Sequence, residues 1–82
     1  MLQQGQRIRL VANPKGRVGA AFDRLKKGVI AEYQVTWVSY DKTRCDARYI
    51  NEKGHLTTSY WCFNKEEVLP SAIFNKKLDD YA

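Results

Sequence analysis

Histidine, proline and cysteine are scarce in this 82-residue chain, which has one His, two Pro and two Cys. Cys45 and Cys62 are too few for a disulfide scaffold and lack the close spacing of a zinc site, which takes four ligands from Cys and His. With His55 as the single imidazole, the sequence implies two half-buried free thiols, no metal and no cofactor. No apolar run approaches the roughly 20 residues needed to cross a bilayer. Residues Met1 to Gln6 also lack the apolar stretch of a secretory signal, so a cytoplasmic protein with no membrane association is expected.

Groups for catalysis are equally sparse. No Ser-His-Asp or Cys-His arrangement and no phosphate-cradling glycine loop ahead of a helix is present. His55 adjoins a turn glycine, where an ordinary exposed imidazole is expected. Glu66 and Glu67 are neighbours, which suits capping or solvating a turn better than acid/base work. These absences point to a non-enzyme.

What is present suffices for one folded domain: 44% of residues are hydrophobic and 28% charged, well away from the disordered regime. The formal net charge of +5 is unevenly placed. Residues 1–31 hold seven basic side chains (Arg7, Arg9, Lys15, Arg17, Arg24, Lys26, Lys27) against the single acid Asp23. Residues 32–48 balance three against three, and residues 49–82 carry four basic and five acidic groups. A one-signed region of this kind concentrates polyanions near it and steers their approach.

Gln6 to Val11 alternates polar and apolar, which predicts a strand with Ile8 and Leu10 inward and Arg7 and Arg9 toward solvent. Asn13-Pro14-Lys15-Gly16 breaks it. Arg17 to Phe22 reads as a second strand with Val18, Ala20 and Phe22 on one face, and Asp23 to Gly28 as a basic connection. Val29 to Tyr40 has the strongest β signal, with Val35 and Trp37 as expected core residues.

Two further strands are expected, about Arg44 to Ile50 and Leu56 to Phe63. Two registers are open. A two-residue turn at Lys53-Gly54 sets Cys45 opposite Cys62 and gathers Cys45, Ala47, Tyr49, Tyr60 and Cys62 on one face. A type I turn with Gly54 as a bulge pairs Asn51 with His55 and sends the thiols to opposite faces. Asn64 to Glu67 then suits one capped helical turn ended by Pro70, and Ser71 to Tyr81 a short amphipathic helix or tail.

The residues also carry a resemblance. Gly5-Gln6-Arg7-Ile8-Arg9-Leu10 followed by Pro14-Lys15-Gly16-Arg17-Val18-Gly19 resembles the opening of small SH3-like barrels of the KOW and Tudor kind. Val35-Thr36-Trp37-Val38, and Trp61 followed by Glu67-Val68-Leu69-Pro70, are similar to the third strand and closing turn of the same superfamily. The resemblance covers about residues 5–70 and implies a mostly β fold, with a barrel of four to five antiparallel strands as the domain over residues 1–70; the helix or tail read from spacing is expected over residues 71–82. The resemblance also implies a cluster of aromatics among Tyr33, Trp37, Tyr40, Tyr60 and Trp61, of the sort that reads methylated side chains in Tudor domains. The Val-Gln-Ile-Tyr string of the plasmid-borne dihydrofolate reductases in the superfamily is absent, so that activity is not implied.

Two functions fit. The first is nucleic-acid binding, DNA or RNA, through Arg7, Arg9, Lys15, Arg17, Arg24, Lys26 and Lys27, with Tyr40 or Trp61 stacking a base. The second is a protein-protein adaptor or inhibitor that engages an acidic protein surface, of the kind phages and plasmids encode against host or defence factors. Its aromatic content and amphipathic tail would supply the anchors.

Overall fold

A computed structural model describes residues 2–71 as one antiparallel sheet with a short helix packed on its inner side. The elements in chain order are β1 (Arg7–Leu10), α1 (Ala20–Lys26), β2 (Glu32–Val38), β3 (Arg44–Ile50), β4 (Leu56–Asn64), a 3-10 turn at Lys65–Glu67, and β5 (Val68–Pro70). The strand order is β4-β3-β2-β1-β5. The expectation of a mostly β fold of four to five antiparallel strands therefore holds. β4 and β5 remain the two edges of the sheet, which is not closed into a barrel.

Strand β1 forms for the reason its alternation gives: Ile8 and Leu10 are buried, while Arg7 and Arg9 stand on the other face. Ile8, Tyr33, Val35, Cys45, Ala47 and Phe63 are at most 1% exposed and make the centre of the core. Removing such a side chain from water contributes about 1.5–3 kcal/mol for the larger aliphatic and aromatic members.

The expected second strand over Arg17–Phe22 does not form, and Asp23–Gly28 is not a loop. Gly19 takes φ 142 and ψ 166, a conformation nearly closed to side-chain-bearing residues, and there the chain turns into α1. Ala21 and Phe22 are buried and Leu25 packs against them, a helical spacing that the short alternating reading obscured. Val18, expected to face inward, is 91% exposed. The helix ends in a Schellman motif: Gly28 at φ 75 donates to the Leu25 carbonyl at 3.0 Å, and Val29 donates to that of Arg24 at 2.9 Å. Seven residues are marginal as an isolated helix, so docking holds α1, with the Phe22 ring edge-on to Phe63 at 6.0 Å.

Trp37 is not in the core. Tyr33 pairs with Tyr49 and Val35 with Ala47, after which the register shifts, so that Trp37 faces Asp46 and Val38 faces Cys45. Thr36 is the extra residue of a β-bulge, and it exchanges the faces of everything after it. Val38 takes the inward place and Trp37 is 46% exposed on the outer face.

The β3–β4 hairpin has the bulged tip. Asn51 donates its backbone N–H to the His55 carbonyl at 2.9 Å, and Gly54, at φ 82, donates to that of Asn51 at 2.8 Å. A second shift separates Ile50↔Leu56 from Arg48↔Tyr60, which leaves two additional residues on β4 and the facing parity unchanged. Phe63, not Cys62, therefore lies opposite Cys45. Cys45 is buried, Cys62 points to the outer face, and both are free thiols. Tyr60 likewise leaves the face it would share with Cys45 and Ala47.

The turn at Lys65–Glu67 is capped as its sequence suggests, with Glu67 Oε1 accepting from the Asn64 backbone N–H at 2.8 Å. Pro70 does not end it: Val68 already turns extended, and β5 pairs with β1 through Leu10↔Val68 and Ile8↔Pro70. The expected helix or tail beyond Ser71 lies outside the described residues.

Candidate nucleic-acid interface

The seven basic residues of the N-terminal third do not form one surface. Arg17 points inward: one Nη donates to Glu67 Oε1 and the other to the Cys62 carbonyl, each at 2.7 Å, while the guanidinium lies 4.8 Å from the Phe22 ring centre. Glu67 is fully buried, so this pair is an internal fixture. Arg24 is also committed. Its guanidinium stacks 4.1 Å over Tyr49 and 5.5 Å from Trp61, and donates to the Tyr33 hydroxyl at 3.3 Å.

Arg24 thereby settles the fate of the expected aromatic cluster. Tyr33 and Trp61 meet edge-on at 5.7 Å and Tyr33 lies 5.7 Å from Tyr49, so these three rings line a site that the chain's own arginine fills. Burial pushes the Tyr33 hydroxyl above its ordinary pKa, and the bond from Arg24 opposes that rise. Trp61, half-buried and packed on the core, is not a free stacking platform. Tyr40 is fully exposed, but at the β2–β3 turn and apart from the others.

Lys15, Lys26 and Lys27 are exposed in the β1–α1 loop and at the end of α1. Because α1 covers the inner side of the sheet, Lys26 and the C-cap Lys27 lie on the opposite side from Arg7 and Arg9. Arg7 approaches Glu32 at 3.7 Å with half of its side chain exposed. An ion pair so open to solvent is weak, and it leaves the guanidinium able to change partners. Arg9, partly buried, sits on the same face, between Glu32 and Leu69 in register.

The sheet itself assembles a different surface. The pairings Tyr60↔Arg48, Arg48↔Gln34 and Gln34↔Arg7 place these four side chains in one row across β4, β3, β2 and β1 on the outer face. The adjacent row is Cys62, Asp46 and Trp37. Arg44, exposed on β3, extends the same face, since it precedes the inward Cys45. Four arginines (7, 9, 44 and 48) thus share this side with two carboxylates, Glu32 and Asp46. Arg48 Nε donates to the Thr57 carbonyl at 2.7 Å, which holds that side chain along β4. Tyr60 is 65% exposed.

Sequence reasoning missed Arg44 and Arg48 as surface partners, and it named Trp37 and Tyr60 only within a larger aromatic cluster that the fold does not assemble. The alternation Arg44, Asp46, Arg48 was a sufficient signal for the arginines; for Trp37 the bulge at Thr36 removed it.

Elsewhere the polar groups do structural work. Asp41 Oδ1 accepts from the Thr43 hydroxyl at 2.7 Å, the Ser39 hydroxyl at 2.8 Å and the Thr43 backbone N–H at 3.1 Å, and these bonds hold its carboxyl down to a pKa of about 2. Burial, with Cys62 and Asp46 near, pushes the Cys45 thiol up to about 11. Among the described residues no three His, Cys, Asp or Glu side chains gather as a metal site would need, and no helix is long and apolar enough to cross a membrane. Against this geometry, comparison with protein-family models, curated proteins and solved structures gives no match.

Proposed function

We propose that the chain is a non-enzymatic binding module of the SH3-like kind that binds nucleic acid through the outer face of β1–β4. The observation that carries this reading is the row of Tyr60, Arg48, Gln34 and Arg7, with Trp37 and Asp46 in the row beside it. Cations interleaved with exposed aromatic rings on a sheet match both parts of a nucleic acid, its phosphates and its bases. The net charge of +5 adds long-range attraction. The cations of this face come from β1 and β3; the N-terminal loop and helix, where the charge is densest in sequence, give Arg17 and Arg24 to the interior.

A salt titration of oligonucleotide binding, with single strands and duplexes in parallel, tests the reading. Log affinity should fall linearly with log salt concentration, and Arg7→Ala or Arg44→Ala should each reduce the slope by about 0.7–0.9. Arg24→Ala should leave the slope as it is. Failure of both nucleic-acid forms to bind at low salt would reject the proposal. Salt-insensitive capture of a protein, lost in Trp37→Ala, would replace it with the adaptor reading.

A further inference from the structure

The outer face has a property that phosphate binding alone does not require: it presents two aromatic rings of unequal depth, Trp37 at 46% and Tyr60 at 65% exposure. Trp37 stands on β2 and Tyr60 on β4, two strands apart and one row apart along them. Strand and residue spacings put their Cα atoms about 12 Å from each other. Between them in register lie the β3 side chains Asp46 and Arg48, with Gln34 and Cys62 completing the two rows.

Resting on the nucleic-acid reading, we propose that this face selects single-stranded nucleic acid, with one unpaired base stacked on Trp37, another on Tyr60, and the intervening backbone held by Arg48 and flanked by Arg7 and Arg44. A duplex offers its base faces only to each other, so it would meet these rings with its sugar-phosphate surface. An unpaired strand turns its bases out and covers apolar ring surface that otherwise faces water. The placement of both rings follows from local chain geometry: the Thr36 bulge brings Trp37 outward, and the two extra β4 residues between Leu56 and Tyr60 keep Tyr60 in phase with it. Asp46 sits beside Trp37 and opposes phosphate at that point, which places the backbone on the Arg48 side of the row.

The test uses the full chain with a single strand of about 12 thymidines, the uridine RNA of equal length, and the matching DNA duplex. Expected are at least tenfold tighter binding of a single strand than of the duplex, and quenching of tryptophan fluorescence that disappears in Trp37→Phe while Trp61 still emits. Trp37→Ala and Tyr60→Ala should each weaken single-strand binding by about 5- to 100-fold without changing the salt slope. Trp37→Phe, which retains a ring, should lose less than Trp37→Ala and guards against a folding defect. Equal affinity for single strand and duplex, with both alanine variants unaffected, would overturn this inference and leave the nucleic-acid reading standing. No binding to any of the three probes would overturn both. The two single-stranded arms report whether DNA or RNA is preferred.

Discussion

Arg17 and Glu67 are fifty positions apart in the chain and 2.7 Å apart in the fold. Arg17 also holds the Cys62 carbonyl on β4, and Glu67 also holds the Asn64 N–H, so one ion pair occupies two backbone groups at the end of an edge strand. The Glu67 carbonyl in turn accepts from Val11 and Ala12, at 2.8 and 3.2 Å, tying the β1–α1 loop to the same point. The two substitutions should differ in cost. Arg17→Ala leaves a carboxylate uncompensated in a fully buried site, for which about 3–5 kcal/mol is expected. Glu67→Gln leaves a guanidinium that is one-third exposed, and about 1–3 kcal/mol is expected. Urea unfolding of both variants checks the order; equal costs would mean that the carboxylate is not the buried member of the pair.

The two tryptophans should separate in the same experiment. Trp61→Ala removes a ring packed against Tyr33 and under Arg24, and should cost about 3–5 kcal/mol. Trp37→Ala acts on a half-exposed ring and should cost less than about 1 kcal/mol.

Arg24→Lys should fail to replace Arg24. An ammonium lacks the planar surface that lies over Tyr49, so most of the loss seen in Arg24→Ala, about 1–2 kcal/mol, should persist. Thermal unfolding of the two variants measures this.

Gly19→Ala should destabilise by about 1–3 kcal/mol through its backbone alone. A Cβ there would meet Trp61 Nε1 at an ordinary 3.7 Å, so space is sufficient and the φ of 142 is the obstacle. Circular dichroism melting of this variant beside Ala20→Gly distinguishes strain at the start of α1 from simple loss of helix propensity.

Acid and alkali should act at different places. The Asp41 carboxyl, held down to about 2, contributes stability that is present above its unfolded pKa near 4 and is lost as pH falls toward 2, and Asp41→Asn should remove that dependence. The Cys45 thiol, pushed up to about 11, stays protonated in the fold while the unfolded chain ionises, so stability should decline from about pH 9 to 11. Thiol-reagent labelling should reach Cys62 in the native protein and Cys45 only on unfolding.

Strands β1 and β3 could be read from the chain because each keeps one local period, β2 and β4 because they are rich in β-branched and aromatic residues, and the turn before β5 because of its cap residues. Helix α1 could not, since Val18, Ala20 and Phe22 imitate strand alternation over five residues while Ala21, Phe22 and Leu25 carry the helical spacing over an equally short stretch. The candidate site was legible only in part for a related reason. Charge density along the chain marks Arg17 and Arg24, but their roles depend on Glu67, Tyr49 and Trp61, partners distant in sequence. Arg7 stays on the surface because its strand neighbour Ile8 fixes the phase.

The bulge at Thr36 makes strand pairing, rather than side-chain identity, the variable that decides where the indole of Trp37 is displayed. If Thr36 paired in register it would face Asp46, and the indole would turn into the niche that Val38 fills beside Cys45, whereas a chain shortened by that one residue would alternate plainly from Val35 to Trp37 to Val38 and keep the indole outside. Deleting Thr36 should therefore preserve the outer surface, and the residue that the sheet leaves unpaired is the one this surface can lose without a change of face.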